Sequence, residues 1–149
     1  MAASEQIKQL RDKTGISVMA CKRALEEAKG DFDKALAFLA ERGAQIAEQK
    51  SERITKAGIV DAYVHSSKQI GVLLELRSET DFVAKNGEFQ ALAHDIAMHI
   101  AASRPQDIHE LMIQPFVKNP EKSVADYLKE AVAKFGENIE VARFSRFNI

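Results

Sequence analysis

The sequence is poor in the residue types on which many catalytic and metal sites depend. Its 149 residues include one cysteine, seven glycines, four histidines and no tryptophan. One cysteine excludes an intramolecular disulfide, and no two histidines have the i, i+4 spacing that binds zinc on a helix. The phosphate-loop, dinucleotide-binding and nucleophile-elbow motifs, all rich in glycine, are absent. We therefore expect no cofactor, no metal and a protein that is not an enzyme.

An excess of charge of either sign is also missing. The 21 Lys and Arg balance 22 Asp and Glu, for a net charge of -1. Nucleic-acid-binding domains are usually clearly basic, so we expect no direct nucleic-acid partner. No apolar run approaches the roughly 18 to 20 residues that cross a bilayer, and the N-terminus lacks the basic and apolar regions of a signal peptide. These absences predict a cytoplasmic protein without a membrane partner.

The N-terminal part has the pattern of three short amphipathic helices. Each helix is preceded by a candidate N-cap residue and followed by a glycine that can take the left-handed conformation. The caps are Ser4, Ser17 and Asp31, and the stops are Gly15, Gly30 and Gly43. Cys21 shares a helical stripe with Ala24 and Leu25, which favours packing of its thiol over a nucleophilic role. We predict a three-helix module over residues 1–43 and a helical connector over 44–56.

The period of the pattern then changes to that of strands. Residues 59–65 and 70–76 are rich in β-branched side chains and flank a polar turn, which predicts a hairpin. Apolar residues at steps of three and four predict a helix from Phe89 to about Ala102. After an irregular stretch over 103–122, a helix capped by Ser123 and a last strand over 139–147 complete the chain. The fold class is α+β: a small antiparallel three-stranded sheet packed with helices, over residues 57–149.

One segment, residues 79–86 (ETDFVAKN), lies between the second strand and the long helix. Two interpretations compete for it. In the first, Thr80 or Asp81 caps a helix and Phe82 and Val83 are core residues. In the second, Phe82 is an apolar wedge, flanked by the carboxylate of Asp81, that enters a partner's groove.

Three stretches of the chain resemble the elongation factor Ts family. Residues 10–15 with 19–31 (LRDKTG and MACKRALEEAKGD) resemble its N-terminal signature, within a module similar to ubiquitin-associated domains. Residues 79–86 resemble its second signature, and 136–139 with Arg143 and Phe144 its closing segment. The three occur in family order and span nearly the whole chain, so together they are far more specific than any one of them.

The resemblance implies a guanine-nucleotide exchange factor that binds elongation factor Tu carrying GDP, during translation elongation. In this family the second signature disturbs the Mg²⁺ site of the partner, a role that passes to Thr80, Asp81, Phe82 and Val83. The N-terminal module would bind the partner. Its contact face would be formed by Leu10, Val18, Met19 and Lys22.

The length of the chain bears on its assembly. Long members of the family carry a duplicated core half and a coiled-coil insertion, for which this chain has no room. By resemblance to the short members, the single small sheet predicts a homodimer. The alternative function is a ubiquitin-associated-like adaptor that binds proteins without exchange activity. A small enzyme using Cys21 or a histidine is a third hypothesis, which would require a low thiol pKa or a bound metal.

Overall fold

The structure is a computed structural model that describes residues 2–149. Helices occupy the first third of the chain, and strands and helices are mixed in the rest. The helices are α1 (Ala3–Thr14), α2 (Val18–Glu27), α3 (Phe32–Lys50), α4 (Asp81–Ala84), α5 (Gly87–Ser103), α6 (Ile108–Ile113) and α7 (Val124–Phe135). The strands are β1 (Ala57–Val64), β2 (Ile70–Ser78), β3 (Pro115–Phe116), β4 (Asn119–Ser123) and β5 (Glu140–Asn148). The α+β class predicted from the sequence is confirmed.

The chain forms two compact units. The first comprises the chain up to Ser51 together with Lys129–Glu137, and the second comprises Glu52–Leu128 together with Asn138–Ile149. Helix α7 begins in the second unit and ends in the first. The boundaries predicted from the sequence, between residues 43 and 44 and between 56 and 57, stay a prediction.

In the first unit, apolar side chains from α1, α2 and α3 meet in one core. Its fully or nearly fully buried members include Leu10, Cys21, Leu25, Ala35 and Leu39. Two of the predicted caps are present: the Ser17 hydroxyl accepts a hydrogen bond from the Ala20 amide, and the Asp31 carboxylate accepts one from the Lys34 amide. The predicted stop at Gly15 is also present, with φ of +68°.

Two helix boundaries predicted for this unit are wrong. Helix α1 begins at Ala3 with Ala2 at the N-cap position, so Ser4 lies inside the helix and caps nothing. Helix α3 runs through Gly43 to Lys50, so the first part of the predicted connector is the end of α3. A Cβ atom on Gly43 would lie 3.4 Å from the Cβ of Ala133 in α7, so this glycine permits close approach of two helices.

In the second unit, β1, β2 and β5 form an antiparallel sheet with β2 in the centre. Strand alternation turns Val72, Leu74 and Leu76 of β2 inward, and all three are buried. Helix α5 packs across β1 and β2. Its inward stripe supplies the other half of this core, formed by Phe89, Leu92, Ala93, Ile96, Ala97 and Ile100. The opposite face of the sheet carries no helix among the described residues.

The stretch over 103–122, predicted to be irregular, contains helix α6 and the short β3–β4 hairpin. Two of the seven residues of β3 and β4, Pro115 and Pro120, are prolines. Proline cannot donate a hydrogen bond to a strand ladder, so the sequence pattern did not indicate a hairpin here. A buried histidine ties this hairpin to α5. His99 Nδ1 accepts a hydrogen bond from the Val117 amide at 3.1 Å, which leaves the proton on Nε2 to be donated to Gln114 Oε1 at 2.9 Å.

The neutral state of His99 makes the stability of this unit depend on pH. Burial lowers the pKa of His99 below its usual value, although the bond to Gln114 opposes the shift. The imidazole therefore stabilises the fold fully above the unfolded pKa of about 6.5, and this contribution is lost as pH falls below it.

We expect the free energy of unfolding of the wild-type protein to fall towards that of His99→Asn between pH 7.5 and 5, because only the wild type must keep a buried imidazole neutral. The difference between them should shrink by at most about 1.4 kcal/mol per pH unit below 6.5. Urea unfolding at a series of pH values measures this. His94→Asn, at an exposed histidine of the same helix, is the control, and a difference independent of pH would contradict the account.

Candidate functional site

The segment singled out in the sequence forms a short helix at the end of the central strand. Strand β2 ends at Ser78, and α4 follows after Glu79 and Thr80. Thr80 is the N-cap: its side-chain oxygen accepts a hydrogen bond from the Val83 amide at 3.4 Å. The buried Ser78 hydroxyl donates to the Thr80 carbonyl at 2.9 Å, which holds the cap against the end of the strand.

The residues of α4 point to opposite environments. Val83 is 5% exposed and Ala84 3%, whereas Phe82 is 86% exposed. Successive helical residues differ by about 100° around the axis, so burial of Val83 and Ala84 turns Phe82 outward. Asp81, next to it, is also exposed and lies in the first turn, where a carboxylate is favoured by the helix dipole.

Both interpretations of this segment are thus partly realised. Thr80 caps the helix and Val83 packs inward, as the structural interpretation holds, while Phe82 projects into solvent, as the wedge interpretation holds. An isolated aromatic side chain at this exposure offers a partner an apolar anchor.

The first unit has its own exposed apolar surface. Val18 is 45% exposed and Met19 60%, at the start of α2, and Lys22 is exposed one turn later. A groove of about 510 Å³ lies between α2 and α3, with Met19 and Phe38 among its lining residues. Phe38, 41% exposed, escaped the sequence analysis. The sequence contains a signal for it, because Phe38 lies outside the apolar stripe of α3 that contains Ala35 and Leu39, and an aromatic residue in that position is expected to be exposed.

Leu10, predicted from the resemblance to join this contact face, is 0% exposed and lies in the core of the unit. It has no surface to offer a partner in this structure. The reason is its position on α1, where the inward stripe packs against α2 and α3. Leu10 therefore packs inside the module.

Cys21, the candidate nucleophile of the third hypothesis, is buried in the core of the first unit. Burial raises the pKa of the Cys21 thiol, which disfavours the thiolate, and its Sγ lies 3.6 Å from the Ile16 carbonyl to which it donates. No group of three or more His, Cys, Asp or Glu side chains in these residues could hold a metal ion. None of the helices over the same residues is long and apolar enough to cross a membrane.

The contrast within α4 predicts that two neighbouring substitutions change the free energy of unfolding by different amounts. Phe82→Ala should change the free energy of unfolding by no more than about 0.5 kcal/mol, because its side chain contacts mainly water. Val83→Ala removes buried methyl groups and should cost about 2 kcal/mol. Urea unfolding at pH 7.5 measures both. Equal losses would show that Phe82 packs against the protein.

Comparison with known proteins identifies the family. The family model described as "Elongation factor TS" matches residues 79–149. Elongation factor Ts of Carboxydothermus hydrogenoformans is 39% identical, with 100% of this chain and 89% of that protein covered. The same factor of Thermodesulfovibrio yellowstonii is 42% identical, covering 98% and 95%. That of Thermosipho melanesiensis is 39% identical, covering 100% and 99%.

These relatives are longer than this chain. The alignment with the Thermosipho melanesiensis protein runs over 194 positions, 45 more than the 149 residues present here. The relatives therefore contain segments that have no counterpart in this chain. Identity at this level over essentially the full chain shows that the protein belongs to the elongation factor Ts family.

Proposed function

We propose that this protein is a guanine-nucleotide exchange factor that binds elongation factor Tu carrying GDP and promotes GDP release by disturbing the Mg²⁺ site of that GTPase. The observation that carries the proposal is the exposure of Phe82 on a helix whose next two residues are buried. This presentation occurs within the family's second signature, inside the region matched by the family model.

The chemistry needs no catalytic group on this protein. A GTPase holds its nucleotide partly through Mg²⁺, which bridges phosphate oxygens and neutralises their charge. A side chain that moves the residues around that ion weakens nucleotide binding. A factor that binds the nucleotide-free GTPase more tightly than the GDP-bound form lowers the affinity of the GTPase for GDP. By linkage, bound GDP lowers the affinity for the factor by the same ratio. Roughly 4 kcal/mol of such coupling corresponds to about a thousandfold.

The four residues of the site have different roles in this proposal. Phe82 is the side chain that enters the partner, with the Asp81 carboxylate beside it. Thr80 caps α4 and Val83 anchors it, so both act by holding Phe82 outward. In this proposal the protein is a non-enzymatic exchange factor that acts in the cytoplasm.

The N-terminal module would supply binding energy at a second place on the partner. Val18 and Met19 offer apolar area, and Lys22 adds a charge at the rim. Phe38 extends this surface across the groove between α2 and α3. Once the module is bound, the contact of α4 with the nucleotide site becomes intramolecular, which raises its effective concentration.

A fluorescent GDP analogue on elongation factor Tu tests the proposal directly. The wild-type protein should accelerate its release, and Phe82→Ala should reduce that acceleration by about tenfold or more, as expected for an aromatic anchor. Ile113→Ala, which truncates another exposed apolar residue, is the matched control and should act as the wild type.

Unchanged GDP release in the presence of the wild-type protein would overturn the proposal. If the protein then still bound the GTPase, and deletion of residues 80–83 left binding intact, the adaptor function would replace exchange.

The second unit supports a further part of the proposal, a homodimer. The sheet face opposite α5 exposes four large apolar side chains: Val60 by 66%, Val64 by 62%, Leu73 by 49% and Phe147 by 71%. Strand pairing brings the last three to one end of that face, since Gly71 lies between Val64 and Phe147. A second copy related by two-fold symmetry would cover this face with the same residues.

Equilibrium sedimentation tests the dimer. We expect the wild-type protein to sediment as a dimer at micromolar concentration, and Leu73→Glu to sediment as a monomer, because it buries an unpaired carboxylate in the interface. Circular dichroism should show the same helix content for both. A monomeric wild-type protein at micromolar concentration would contradict the proposed dimer.

A further inference from the structure

The carboxylate that precedes the proposed wedge has an incomplete set of partners. Glu79 lies between β2 and Thr80, and its side chain is 19% exposed. Its Oε1 atom is buried and has no hydrogen-bond partner among residues 2–149. The cation beside that atom is Arg53, whose Nη1 lies 3.7 Å away. A buried carboxylate oxygen is costly without a compensating charge, so this pair matters more than an exposed one.

Arg53 is itself held in place by the closing strand region. The buried Asn138 donates from its side-chain amide to the Arg53 carbonyl at 2.8 Å. Two residues further, the buried Thr55 donates to the Glu140 carboxylate. These two bonds connect the segment before β1 to the start of β5, and they fix the backbone from which the Arg53 side chain reaches Glu79.

We propose that Arg53 and Glu79, with Asn138 behind them, are positioning residues that fix the loop between β2 and α4, and with it the helix from which Phe82 projects. The chain of contacts runs from Asn138 to the Arg53 backbone, from the Arg53 guanidinium to Glu79, and from Glu79 along the backbone to the Thr80 cap of α4. The inference rests on the proposed exchange function. It adds three residues that lie outside residues 80–83 to those on which exchange depends.

The physical reason is the shortness of α4. A helix of four residues has too few internal hydrogen bonds to be stable by itself, so its direction depends on what holds its ends. The Ser78 hydroxyl and the Thr80 side chain hold its start through hydrogen bonds. Loss of the Arg53 charge would leave the buried Oε1 atom of Glu79 without the cation beside it, and the loop would move to hydrate that atom. Phe82 would then reach the partner in a wider range of orientations.

The test measures GDP release from elongation factor Tu at saturating and at limiting factor concentrations. Arg53→Gln and Glu79→Gln should each lower the maximal release rate by about fivefold while leaving the half-saturating concentration within about twofold, because presentation changes and the binding surfaces do not. Arg53→Lys, which keeps the charge, should recover most of the rate.

The chain offers a closely matched control. Lys118 and Asp95 form an ion pair at 3.0 Å with side chains 52% and 18% exposed, against 55% and 19% for Arg53 and Glu79. Lys118→Gln removes a comparable pair far from α4 in the sequence and should leave the maximal rate unchanged. A general loss of stability would affect both variants alike and would appear in their urea unfolding.

Hydrogen exchange of the free protein gives a readout that needs no partner. The amides of Val83 and Ala84, which bond to the Thr80 side chain and carbonyl, should exchange faster in Arg53→Gln than in Lys118→Gln. Wild-type release rates and wild-type amide protection in Arg53→Gln would overturn the inference. An inactive wild-type protein would instead overturn the proposed function, and amide exchange alone would then decide whether Arg53 positions the loop.

Discussion

The burial of Val83 and Ala84 is the constraint on which the candidate site depends. These two residues close the core at the end of β2. Three consecutive helical residues span about 200° of the helix surface, so α4, which packs with Val83 and Ala84 inward, leaves Phe82 on its outer side. The protein therefore leaves in water a side chain whose full burial is worth about 1.5 to 3 kcal/mol. A partner that buries it recovers that free energy, so the exposed ring is suited to binding.

Much of the fold could be predicted from the sequence because its signals were local and periodic. The alternation in β2, the stripe of α5 and the caps at Ser17, Asp31 and Ser123 each depend on a few neighbouring residues. The helix stop predicted at Gly43 was wrong. A glycine closes a helix by taking a positive φ, whereas Gly43 lies inside α3 against Ala133. The residue that Gly43 approaches, Ala133, lies 90 positions away along the chain, so no local pattern could reveal this contact.

The site was predictable only in part, for the same reason. A motif match could identify residues 79–86, but no local pattern distinguishes the buried Val83 from the exposed Phe82. Leu10 and Met19 have similar hydrophobicity, yet the packing of three helices buries one and exposes the other. The pairing of Arg53 with Glu79 joins residues from two connecting segments, and the Arg53 carbonyl is bonded to Asn138, far along the chain. Such tertiary contacts produce no periodic pattern in the sequence.

The relative affinity for two states of the GTPase tests the central claim most directly. Binding of this protein to nucleotide-free and to GDP-bound elongation factor Tu can be measured by titration calorimetry under one set of conditions. The account predicts that the nucleotide-free GTPase binds at least about a hundredfold more tightly, and that Phe82→Ala reduces this ratio. Equal affinity for the two states would contradict it, because a factor without such a preference cannot weaken the binding of GDP.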